Sequence, residues 1–243
     1  MIGAVLIGIN KTGMPGLGAV PVVLLALMFE TKLSTGLQLM LLCAADLFAV
    51  SCYRHHADWW IVLRLVPWAL VGIGLGTLTL EVVDSETLRL LIGWIILLMG
   101  VISVLKSLYL KNIETIPRHW AFSAAFGMLA GFTTLVANAA GPVMAIYLLA
   151  MRLPKERYMG SCAWYFLILN YLKLPIFIWE GRITLPAVRA DLAMLPLILL
   201  GAWLGVVLIR KLPQRSFEWM IQVLIFLGAL MVIFRNQVLA LFS

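Results

Sequence analysis

The chain has 243 residues, 63% of them apolar and only 12% charged, with a mean hydropathy of +1.05; an ordinary soluble domain has about 25% charged residues. Eighteen Lys and Arg against 11 Asp and Glu leave a net charge of +7, but most of these charges sit in short links between apolar runs, which reads as membrane topology rather than as a nucleic-acid surface. A helix needs about 20 apolar residues to cross the hydrocarbon core, so this length holds about eight spans at most and leaves no room for a soluble domain.

Apolar stretches run approximately 1–29, 35–53, 61–80, 88–109, 120–150, 159–179, 186–209 and 217–234. They lack the two-residue alternation of barrel strands, so an all-α integral membrane protein is expected. The first residues show neither a basic n-region nor a small-residue cleavage site, and no removable signal peptide is expected. Cys43, Cys52 and Cys162 lie in or beside apolar runs without CxxC spacing and read as free packing residues.

The first and fifth stretches are each about 30 residues long and are interrupted near the middle by helix breakers. One contains Asn10-Lys11-Thr12-Gly13-Met14-Pro15-Gly16-Leu17-Gly18, followed by Pro21. The other contains Thr133-Thr134-Leu135-Val136-Ala137-Asn138-Ala139-Ala140-Gly141-Pro142. These segments open two similar halves. Pairing Pro21 with Pro142, Gly36 with Gly160, and Gly72 and Gly76 with Gly201 and Gly205 gives offsets of 121, 124 and 129, as a duplication with small insertions would. If every stretch crosses, Lys and Arg in the links divide evenly between the two sides. If the broken stretches enter and return on one side, they divide 5 against 11, which obeys the positive-inside rule. The expected fold is therefore two inverted repeats, 1–112 and 113–243. Each opens with a broken, re-entrant helical hairpin followed by about three transmembrane helices, and both termini lie on the non-cytoplasmic side.

Backbone that leaves the helix at membrane depth survives only where it is packed in protein or lines a wet cavity. Two such breaks at matching places point to one central site. Pro21 and Pro142 suit the first turn of the half-helices that follow, and the free N–H groups and positive dipole ends there attract an anion. Lys11 falls about 15 Å into its stretch and would supply charge. Lys173, with six residues between it and the polar end at Glu180, is a weaker candidate because its ammonium can reach an interface. Asp46 falls opposite Asn170 in the repeat pairing. It is open to two readings, a structural bridge to Lys11 and a proton-coupling carboxylate. Gln38 and Thr12 offer neutral hydrogen bonds, and Trp164 and Tyr165 are candidate cavity walls. His55, His56 and His119 lack metal-site spacing, and no HExxH, GxSxG or phosphate-loop pattern occurs, so no enzyme, metal or cofactor is expected.

The stretch from Gly8 to Gly18, followed by Pro21 and an apolar run, resembles the opening of the sulfite exporter TauE/SafE family, anion permeases also grouped with toluenesulfonate uptake proteins. Leu42 to Asp46, the Ala57-Asp58-Trp59 turn, the Pro67 to Gly76 helix and a second half starting at Gly127 extend the resemblance over nearly the whole chain. It implies a two-repeat membrane protein that moves small sulfur-containing anions such as sulfite or organosulfonates. The second break departs from a glycine-richer form, with Thr133, Thr134 and Asn138 offering side-chain donors in place of bare backbone.

The combined expectation is an alternating-access carrier of a bacterial inner membrane. Its substrate would be bound by Asn10, Lys11, Thr12, Gly13, Gly16 and Gly18 from the first break. Gln38, Thr133, Thr134, Asn138 and Gly141 would complete the site, with Asp46 as the proton-coupling group. The expected partners are a small anion and the lipid bilayer, without nucleic acid; homo-oligomerisation is left open. The alternatives are a carrier of another small anion, such as a carboxylate, and a structural or lipid-handling membrane protein in which Lys11 and Asp46 form a folding bridge.

Overall fold

The structure is a computed structural model that describes residues 2–15, 18, 31–83, 87, 90, 91, 93–98, 100, 101 and 119–234. Its regular elements are α1 (Ile2–Thr12), α2 (Thr31–Tyr53), α3 (Trp59–Val82), α4 (Trp120–Ala137), α5 (Ala140–Ala150), α6 (Lys155–Trp179), α7 (Leu185–Lys211) and α8 (Gln214–Ile233). The described residues of 90–101 are also helical. Thr35–Tyr53, Trp59–Leu80, Lys155–Trp179 and Val188–Lys211 are long and apolar enough to cross a membrane. Gly16, Pro21, the return half of the first broken stretch and the boundary at 112–113 lie outside the described residues.

Polarity is distributed inside out. Leu63, Leu70 and Leu78 on α3, Trp94 and Leu98, and Leu200 and Trp203 on α7 are exposed, while Lys11, Asp46, Thr134, Asn170 and Lys173 are buried. So much exposed apolar surface is untenable in water and suits lipid. The chain is a multi-pass, all-α membrane protein.

Glycines set the closest helix contacts. α1 lies on α7, where a methyl at Gly8 would overlap the Ile198 carbonyl and one at Gly201 would overlap the Val5 carbonyl. α3 lies on α4 in the same manner, with Gly131 against the Ala69 carbonyl and Gly72 against the Met128 carbonyl. Small residues let backbones approach where lipid offers no hydrophobic drive for helix association.

The helices leading into the breaks run further than their composition suggests. Asn10, Lys11 and Thr12 remain helical in α1, and Thr133 to Ala137 remain helical in α4. The Thr133 hydroxyl donates to the Leu129 and Ala130 carbonyls at 2.8 and 3.2 Å, so it lies along its own helix. In the second break the backbone turns left-handed at Asn138, with φ 50°, a conformation asparagine tolerates better than most residues. The Asn138 and Ala139 amides donate back to the Thr134 and Thr133 carbonyls and close the helix end. From there α5 doubles back along α4. Tyr147 stacks on Phe122 and its hydroxyl lies 2.9 Å from that of Ser123. Pro142 sits in the first turn of α5, where proline's missing N–H costs nothing.

Three links gather at one end. The Trp164 indole donates to the Arg54 carbonyl at 3.4 Å and the Asp58 amide to the Ser161 hydroxyl at 3.0 Å, bringing the α2–α3 link to the start of α6. The Lys155 ammonium donates to the Ile209 and Leu212 carbonyls at 2.9 and 2.6 Å. Gln214 donates to the Leu153 carbonyl at 3.2 Å. The α6–α7 link lies at the other end, with the Arg182 carbonyl against Gly36 near the start of α2.

Candidate functional site

α1 is fixed in depth by its partners. The Thr12 hydroxyl donates to the Gly8 carbonyl at 3.1 Å and to the Ala202 carbonyl of α7 at 2.7 Å. The Tyr53 hydroxyl donates to the Thr12 carbonyl at 2.9 Å, satisfying one of the orphan acceptors at the helix end. Gly13 then passes against Gly205. These contacts hold Lys11 at the protein centre, where it is 8% exposed.

The Lys11 ammonium lies 2.7 Å from Asp46 Oδ1 and 4.3 Å from the centroid of the Phe166 ring. Asp46 is fully buried, and its Oδ2 accepts from the Asn170 amide at 2.6 Å. A buried carboxylate needs its charge matched and its lone pairs used. Lys11 matches the charge and Asn170 donates a hydrogen bond, and in doing so they tie α1, α2 and α6 together.

One turn further along α6, Lys173 is also fully buried. Its ammonium donates to Thr134 Oγ1 at 2.8 Å, to the Thr134 carbonyl at 3.3 Å and to Asn138 Oδ1 at 2.9 Å. Because an ammonium only donates, Asn138 must present oxygen to it, which turns its NH2 toward Gln38 Oε1 at 3.2 Å. The left-handed turn at Asn138 thus links α4 and α6 to α2. Immediately beyond it α5 begins at Ala140 without a side-chain cap, so its first amides have no side-chain acceptor at the N-cap.

The structure therefore brings Lys11, Asp46, Gln38, Thr134 and Asn138 into one interior region. Asn10 is buried beside Gly18, where an added methyl would lie 3.4 Å from its amide nitrogen. Thr12 and Gly13 serve the α1–α7 contact, Thr133 bonds its own helix, and Gly141 lies half-buried in the first turn of α5. Trp164 packs on Trp59 near the links, away from Lys173. Gly16 lies outside the described residues. Among the described residues no group of three His, Cys, Asp or Glu side chains is arranged to hold a metal ion.

Two residues carry more weight than the sequence suggested. Lys173 does not reach an interface; Thr134 and Asn138 hold its ammonium inward. The signal was available, because Lys173 is three residues from Asn170, the partner of Asp46 in the repeat pairing, and so shares its helix face. Asp46 is also not the only buried acid. Asp191 on α7 is 7% exposed, and its Oδ2 has no partner among the described residues.

The TauE family model, described as sulfite exporter TauE/SafE, matches residues 1–232. The chain belongs to the TauE/SafE sulfite exporter family. That is a transporter family, and membership together with the apolar spans makes the protein a membrane transporter. Compared with curated proteins and with solved structures, the chain matches none.

Proposed function

We propose that this TauE/SafE member is an alternating-access carrier of small sulfur oxyanions, sulfite or organosulfonates, in a bacterial inner membrane. The observation that bears most of the weight is a pair of buried ammonium groups, Lys11 on the first broken segment and Lys173 of α6 held against the second break by Thr134 and Asn138. Charges at that depth are expensive in a membrane protein and mark substrate or ion pathways. The anion lies between the breaks, with the lysines supplying charge and Thr134, Asn138, Gln38 and the first amides of α5 supplying donors. Asp46 is the proton-coupling group, since a proton on its carboxyl would release Lys11.

Two inverted repeats, 1–112 and 113–243, provide the moving parts. Matching contacts support this reading. Gly8 meets Ile198 of α7 as Gly131 meets Ala69 of α3, and Gly201 meets Val5 as Gly72 meets Met128. Pro67 and Pro196 lie inside the two glycine-bearing helices, and Asp46 meets its counterpart Asn170. The opening arm of each repeat thus packs on the glycine helix of the other, so rocking one repeat against the other would remodel the centre. The fold-back of α5 on α4 supports a re-entrant hairpin. The gathering of the links bearing Arg54, Lys155 and Arg210 at one end supports its cytoplasmic assignment under the positive-inside rule.

The ion pair of Lys11 with Asp46 also favours a second reading, in which the two form a folding bridge and move no solute. Anion-evoked flux in proteoliposomes separates the two readings, comparing sulfite, sulfoacetate, taurine, sulfate, acetate and chloride. Flux confined to sulfur oxyanions supports the carrier; flux of acetate alone moves the assignment to a carboxylate carrier. No flux from folded protein favours the bridge.

A further inference from the structure

The buried centre does not balance its charge. Lys11 is matched by Asp46 at 2.7 Å, whereas the three acceptors around Lys173, two on Thr134 and one on Asn138, are neutral. No described carboxylate lies within ion-pair distance of Lys173. Three acceptors match the three protons of an ammonium, so the surroundings are built for the charged form of the side chain. The group of Lys11, Asp46 and Lys173 then sums to one positive charge in an interior from which Lys173 and Asp46 are fully excluded from solvent.

An isolated interior charge is costly until a counter-charge joins it. One negative charge brings the centre to neutrality, while two would leave a buried excess of the opposite sign. We propose that the site selects anions by valence, taking singly charged sulfur oxyanions, such as simple alkanesulfonates and bisulfite, over doubly charged ones such as sulfate and sulfoacetate. This proposal rests on the carrier reading and adds its substrate class. Lys173 acts by charge, since its three protons are already given to Thr134 and Asn138. The Thr134 hydroxyl accepts from Lys173 and keeps its own proton for an acceptor. Together with the Gln38 amide and the first amides of α5, it offers donors to the oxygens of an SO3 group. Asp46 sets the valence: neutralising it frees the charge of Lys11 and makes the centre doubly positive.

The test uses methanesulfonate and sulfate, which share the oxygen-rich sulfur head and hold one and two charges across neutral pH. Two readouts are taken on the full-length protein. One is ligand-induced thermal stabilisation in detergent, and the other is anion-evoked current from proteoliposomes on a solid-supported membrane. For the wild type, methanesulfonate is expected to bind more tightly than sulfate by about tenfold or more. Asp46→Asn should shift that ratio toward sulfate by a comparable factor, and Lys173→Met should lose methanesulfonate stabilisation. The double variant Lys173→Met/Asp46→Asn, again with one net positive charge on Lys11, should regain preference for methanesulfonate over sulfate. Equal affinity for the two anions in the wild type overturns the proposal, as does an unchanged ratio in Asp46→Asn. If a variant does not fold, the wild-type ratio decides. Methanesulfonate-selective stabilisation without any current would retain valence selection and overturn the carrier reading instead.

Discussion

Asp46 of α2 and Asn170 of α6 meet through a 2.6 Å hydrogen bond at the protein centre, and the sequence pairing of the two proposed repeats sets these same residues opposite each other. In the proposed repeats, one offers a carboxylate where the other offers its neutral amide isostere. A second carboxylate there would repel the first, whereas the amide donates to it, so the substitution makes the contact attractive. Lys11 completes the charge balance at this point.

Removing one member of that ion pair strands the other. Lys11→Met or Asp46→Asn alone should each destabilise the protein, by about 3–5 kcal/mol where the stranded group stays charged. The Lys11→Met/Asp46→Asn double variant should lose less than the sum of the two. Thermal or denaturant unfolding in detergent measures this, and strictly additive losses would mean that the two charges do not depend on each other. The swap Lys11→Asp/Asp46→Lys separates roles, because a folding bridge tolerates the exchange and a substrate-binding lysine does not.

Glycine substitution on α3 should divide by face. Gly74 has nothing within 4 Å of an added methyl, so Gly74→Ala should be neutral or stabilise by up to about 1 kcal/mol. Gly72→Ala drives a methyl into the Met128 carbonyl of α4 and should destabilise by about 1–3 kcal/mol. Melting temperatures of the two variants check the contrast, and equal behaviour would contradict the close α3–α4 contact.

Asp191 is buried on α7 with one oxygen unpartnered among the described residues. Asparagine keeps its shape without the charge, so Asp191→Asn should raise resistance to unfolding by about 1 kcal/mol or more. Unchanged stability with lost transport would instead assign Asp191 a functional role.

Membrane topology is accessible to single-cysteine labelling in a background lacking the native Cys43, Cys52 and Cys162. With the breaks re-entrant, cysteines replacing His55 and Arg152 should both be shielded from an impermeant maleimide added to intact cells, and one replacing Gly181 should react. Labelling of His55→Cys and Arg152→Cys from opposite sides would contradict re-entry.

Much of this was legible in the sequence because a membrane makes polarity costly. Lys11, Asp46 and Asn138 stand out against apolar neighbours, and a charge or break inside such a run needs a reason. The extent of the breaks was less legible. Thr133 and Thr134 look like breakers in composition, yet a threonine hydroxyl can bond its own helix, so the turn is left to Asn138 alone. The depth of Lys173 is hidden in the sequence, because its linear distance from Glu180 suggests reach to the surface. Sequence spacing does not say which way a helix faces, and α6 turns this side chain onto Thr134 and Asn138. The burial of Asp191 is hidden for the same reason, since it stands near the start of its apolar run beside Arg189.

The most direct test of anion carriage is counterflow. Proteoliposomes loaded with unlabelled sulfite are diluted into trace radiolabelled sulfite, and the label retained inside is followed over time. A sulfur-oxyanion carrier accumulates label transiently above protein-free liposomes, and Lys173→Met with an unaltered melting transition abolishes that accumulation. Folded wild-type protein that accumulates no labelled sulfite, and no labelled methanesulfonate under the same protocol, would contradict anion carriage and leave Lys11 and Asp46 as a structural pair.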